Sequence, residues 1–109
     1  MQNPARTLMV FFNLKPETQE SDYLNWAKQI DLPTVNQLKS VSSFEVFKGL
    51  SLLGQETASP WQYFEVIQIE SEAAFLEDIQ SPEMQKVIEQ FQAFTQDAHF
   101  VSTQNILSN

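Results

Sequence analysis

Few side chains in this 109-residue sequence are equipped for chemistry: there is no cysteine, a single histidine, His99, and fourteen acidic groups against six basic ones. Lacking cysteine, the chain has no thiol nucleophile and no thiolate metal site, and one imidazole leaves no partner for a two-histidine zinc or iron centre. No metal is expected, and a Ser-His-Asp arrangement has only His99 to build on. What remains is carboxylate chemistry. Side chains alternate along Trp61 to Ile69, so Tyr63, Glu65 and Ile67 share one face of a strand while Phe64, Val66 and Gln68 share the other. A carboxyl group in a desolvated cavity holds its proton more tightly than in water and can act as a general acid or base near neutral pH. Glu65 is therefore the first catalytic candidate, and His99, an imidazole suited to proton shuttling, is the second.

A carboxylate is a poor neighbour for apolar helices, so Glu65 is expected on the sheet face that points away from them, into a barrel. Tyr63 and Ile67 would line the same cavity, Asn13, Phe11 and Met9 would reach it from the first strand, and Trp61 would border its mouth. The alternatives are structural. Glu65 can sit hydrated near a barrel mouth or paired with Lys48, Tyr63 can fill a dimer seam, and His99 can be a surface residue beside an Asp97-Ala98 turn. Trp26 belongs to a helical core stripe.

The elements that must position these residues follow from periodicity. Arg6 to Leu14 is rich in β-branched and aromatic residues and is stopped by Lys15-Pro16, a strand. Tyr23, Trp26, Ala27 and Ile30 recur at helical spacing, and Pro33 is expected to break that helix and open a short second piece to about Lys39. Val41 to Gly49 and Trp61 to Ile69 read as strands joined by a long loop containing Gly54 and Pro60. Ser71 caps a helix carrying Phe75, Leu76 and Ile79. Ser81-Pro82-Glu83 restarts it, with Met84, Val87, Ile88 and Phe91 on one stripe. About His99 to Ile106 forms the last strand.

The order βαββαβ is that of a ferredoxin-like α+β domain, with one four-stranded antiparallel sheet carrying both helices on one face, and a single domain is expected over 1–109. Each strand holds more apolar residues than one buried face needs. The free sheet face is therefore expected to pack on an identical sheet in a homodimer.

Met9-Val10-Phe11-Phe12-Asn13-Leu14-Lys15-Pro16 resembles the opening strand of the dimeric α+β barrel proteins. Asp31-Leu32-Pro33-Thr34-Val35, Leu38 to Val46, Tyr63-Phe64-Glu65-Val66-Ile67 and Met84-Gln85-Lys86-Val87 resemble their RedY-like (HapK) branch, which is associated with prodiginine pigment biosynthesis. The resemblance implies a homodimer whose facing sheets enclose an apolar cavity for small aromatic or polyketide-like compounds. The superfamily includes cofactor-free monooxygenases, cyclases, isomerases and haem enzymes, so it implies a pocket without fixing a reaction. Haem-binding relatives use a histidine on a helix, whereas His99 opens a predicted strand, and no cofactor is expected.

A formal charge of −8 repels phosphate backbones and anionic headgroups, and the six cations are scattered, so neither nucleic acid nor a membrane surface is an expected partner. The longest apolar stretch, Leu8 to Phe12, is far below the roughly 18 to 20 residues that span a bilayer. Met1 to Arg6 shows no secretory h-region, which makes the cytoplasm the expected location. Three functional classes follow: an enzyme or accessory factor acting on a small aromatic or pyrrole-like intermediate, a non-catalytic binder of such a compound, and a structural homodimer filled by its own nine phenylalanines.

Overall fold

The computed structural model describes residues 4–107, so the expected domain ends and the leader reading at Met1 to Asn3 lie outside the described residues. Four strands, β1 (Arg6–Leu14), β2 (Val41–Lys48), β3 (Tyr63–Ile69) and β4 (Thr95–Thr103), form one antiparallel sheet in the order β2-β3-β1-β4. The helices α1 (Glu20–Trp26), α2 (Leu32–Asn36), α3 (Glu72–Asp78) and α4 (Pro82–Phe94) accompany it in the ferredoxin-like order. Alternation sorts β1 cleanly: Leu8, Val10, Phe12 and Leu14 are buried beneath the helices, while Met9, Phe11 and Asn13 face outward.

The register then assigns every other strand. Val10 pairs with Glu65 and Phe12 with Tyr63, so the buried β3 set of Tyr63, Glu65, Ile67 and Ile69 lies on the helix side. Aromatic rings knit this core: Phe12 meets Phe91 edge-on at 4.9 Å, and the Tyr23 and Tyr63 rings lie 4.9 Å apart.

The break expected at Pro33 does not occur. Residues Ala27–Asp31 form a π turn, in which the Leu32 N–H donates to the Ala27 carbonyl five residues back, and helical backbone continues through it into α2. Proline lacks an N–H and crowds the carbonyl four residues before it, and a widened turn just ahead of Pro33 relieves both. The extra residue also changes the phase of the buried stripe, which runs Tyr23, Trp26, Ala27, Asp31, Val35. Ile30, expected inside, is 42% exposed, and Asp31 is 4% exposed.

Three further boundaries differ from expectation. The third strand begins at Tyr63 rather than Trp61. The fourth begins at Thr95, directly after α4, and ends at Thr103. Asp97 and Ala98 make a bulge within it rather than a preceding turn: two residues there oppose Phe12 alone, and Asp97 adopts φ 55°, a left-handed conformation that aspartate tolerates better than most residues.

Candidate functional site

Glu65 stands in the middle of β3, and its strand neighbours dictate where it points. It shares the helix-facing side with Val10, Tyr63 and Ile67, which corrects the expectation that it faces away from the helices. The physical reason is that the rule against burying a carboxylate applies to its charged form; a neutral carboxylic acid is far less costly to cover. Burial pushes the Glu65 carboxyl well above the usual range, and the neighbouring Asp31 carboxyl adds to the effect. Burial likewise pushes Asp31 up, to about 7. Both groups thus favour their protonated, hydrogen-bond-donating forms more than exposed carboxyls do.

These two acids line a cavity of about 560 Å³ between the sheet and the helices. Its walls are otherwise largely apolar, with Phe44 and Ile67 from the sheet, Phe75 and Ile79 from α3 and its end, and Val87 and Phe91 from α4. The exposed Glu72, Leu76, Gln92 and Asp97 mark where it meets solvent. Among the described residues, Glu65 Oε2, Asp31 Oδ2 and the Tyr23 hydroxyl are buried without a hydrogen-bond partner. The Tyr23 hydroxyl also holds its proton more tightly, first through burial and then through the negative charge of Glu65 and Asp31. Unsatisfied polar atoms of this kind are rare in folded proteins and call for an explanation. A pair of carboxyls poised in an apolar cavity can give a proton to a bound molecule, take one from it, or accept its N–H and O–H groups.

The other expected site residues divide between the two faces. Ile67 lines the same cavity as Glu65. Tyr63 is buried on that side, but its hydroxyl donates to Glu20 at 2.5 Å, and Glu20 also pairs with Lys48 at 3.0 Å. Lys48 therefore neutralises Glu20 and not Glu65. Met9, Phe11, Asn13 and His99 lie on the opposite sheet face, away from Glu65, so the expected single cluster is two. There the His99 ring stacks on Phe11 at 5.3 Å and meets Trp61 edge-on at 5.4 Å, while Trp61 lies 4.9 Å from Phe11. Asn13 is occupied structurally, accepting the Gln62 N–H at 2.9 Å.

Sequence reasoning missed Asp31 as a site residue because an uninterrupted 3.6-residue period puts Ile30, not Asp31, on the buried stripe. The signal was present in Pro33, which demands an adjustment of the helix ahead of it.

The sequence profile described as "REDY-like protein HapK" matches residues 6–106. No curated protein matches the chain significantly. Among solved structures, the chain is similar to HapK from Hahella chejuensis, with 23% identity over 95% of each chain and a TM-score of 0.76. It is similar to the hydroxynitrile lyase of Passiflora edulis, with 13% identity over 95% of this chain and 96% of that one, at a TM-score of 0.78. SnoaB, a cofactor-independent oxygenase from Streptomyces nogalater, shares 7% identity over 94% of each chain at a TM-score of 0.71. At these identities the likenesses establish the ferredoxin-like α+β fold. The profile match spans β1 through β4 and takes in both carboxyl-bearing segments, and on that ground the chain belongs to the REDY-like HapK family.

Proposed function

We propose that the protein binds a small, largely apolar aromatic or pyrrole-like intermediate of secondary metabolism, of the prodiginine type, in the cavity between sheet and helices. There it acts by proton transfer through Glu65, with no cofactor. The observation that carries this reading is a buried carboxyl with an unpartnered oxygen in a largely apolar cavity. Family membership supports the metabolic setting, and relatives in fold that are described as a cofactor-independent oxygenase and a hydroxynitrile lyase support catalysis on this scaffold. The protein works as a cytoplasmic homodimer, joined through the sheet face that carries Phe11, Trp61 and His99. These residues, with Met9 and Asn13, serve assembly in this reading rather than ligand contact.

The test is native mass spectrometry with an aromatic and pyrrole-containing metabolite extract, followed by turnover of any captured compound. Glu65→Gln is expected to keep the fold but to lower turnover by about a hundredfold or more, the usual scale for one general acid–base group. Unaltered turnover in that variant removes Glu65 from the chemistry.

One observation favours a second reading, a binder that carries the intermediate without reacting it. Catalytic carboxyls are commonly oriented by a hydrogen-bonding neighbour, and Glu65 Oε2 has none. In that case Phe91→Ala, which removes a cavity wall, weakens capture more than Glu65→Gln does.

A further inference from the structure

We infer that the cavity selects ligands bearing a cationic nitrogen (a protonated amine, amidine or iminium on a flat apolar frame) and seats that centre against the Asp31 and Glu65 carboxyl groups. The inference names the ligand class of the site proposed above and rests on that reading.

The charge of the cavity wall is one-sided. Asp31, Glu65, Glu72 and Asp97 line it, and among the described residues no lysine, arginine or histidine does. Two of the four, Asp31 and Glu65, are each 4% exposed and present an oxygen that no protein group satisfies. Of the elements around Glu65, the π turn gives Asp31, α1 gives the Tyr23 hydroxyl, α3 gives Glu72 and β4 gives Asp97. The lining residues of β1, β2, α2 and α4 are uncharged. Tyr23, the neutral donor that feels both carboxyls, makes a hydrogen bond to neither. Lys48, on the same side of the sheet, is engaged by Glu20. A ligand carrying N–H donors would satisfy these oxygens, which no described protein group does.

Ammonium and amidinium groups supply two or three N–H donors and a positive charge, and charge-assisted bonds of this kind are about twice as strong as neutral ones. An anionic ligand would find no counter-charge among the described lining residues. The proton accounting is simple. When a ligand already protonated in solution binds, one buried carboxylic O–H bond breaks, its electron pair stays on oxygen as carboxylate, and its proton leaves to the buffer. A ligand arriving as free base takes that same proton inside the site, and nothing is released.

Three flat tricyclic probes test this on the full chain at neutral pH: proflavine, a cation; acridone, neutral; and an anthracene carboxylate, an anion. Calorimetry in two buffers of different ionisation enthalpy reads affinity and proton release together. Proflavine is expected to bind about tenfold or more tighter than acridone, with proton release and with the anion weakest. Asp31→Asn and Glu65→Gln should each narrow that gap while sparing acridone. Equal affinities, or preference for acridone or the anion, overturn the charge selection and leave the cavity reading standing. Failure of all three to bind overturns both. The ranking in the unaltered protein decides the matter even if a variant does not fold.

Discussion

Asp31 and Glu65 occupy positions that favour the neutral acid over the anion, and this has a consequence for stability. Burial raises Asp31 from 3.8 to about 7, so the folded state holds this proton more tightly than the unfolded chain does. The resulting stabilisation is complete below about pH 4 and is lost as pH rises through about 7; the raise corresponds to on the order of 4 kcal/mol. Asparagine mimics the neutral acid at every pH. Asp31→Asn is accordingly expected to match the native protein at pH 4 and to exceed it by about 2 to 4 kcal/mol at pH 8. Urea unfolding at both values checks this, and a variant less stable at pH 8 contradicts it. Glu65 acts in the same direction. That Glu65 sits on a central strand was legible from the sequence, but its face was not. The rule used to orient it assumed a charge that burial removes.

Elements were read well where one period held throughout and poorly where it changed. β1 matches its expected bounds and α4 its expected start because each carries a single clean pattern with a proline or serine marking an end. The helical rod from Glu20 to Asn36 does not, since no propensity scale announces a five-residue turn. The end of β2 gives an element-scale prediction. A Cβ on Gly49 would lie 2.2 Å from the Trp61 carbonyl oxygen and 2.7 Å from Ser59 Oγ, while the Gly49 N–H donates to the Gln62 carbonyl at 2.7 Å. Backbone cannot yield there as a flexible side chain would. Gly49→Ala should therefore cost about 2 kcal/mol or more, the scale of overpacking a tight site, measured as a lower urea midpoint. An unchanged midpoint would show that the β2–β3 loop adjusts freely.

For the whole molecule, the sequence carried the strand and helix order and the surplus of apolar residues on the strands. The surplus is visible on the outer sheet face, where Met9 is 48%, Phe47 47% and Val101 42% exposed beside the Phe11, Trp61 and His99 rings. Such a patch is costly in water and fits burial against a second copy. If this face joins two copies, Phe47→Lys should yield a folded monomer by sedimentation and circular dichroism, because it sets a charge against an apolar sheet face. A dimer that survives this substitution would place the contact elsewhere. What the chain could not reveal was the location of the cavity, which depends on how far apart α3, α4 and the sheet stand.

The alternation along β3 has an evolutionary corollary. Tyr63, Glu65 and Ile67 answer to the interior, whereas Phe64, Val66 and Gln68 answer to the outer face. Adjacent codons thus fall under separate selection. If the cavity holds a ligand and the outer face joins two copies, Glu65 and Ile67 could change with the ligand while the even-numbered positions kept the assembly, and each protomer would keep a private site.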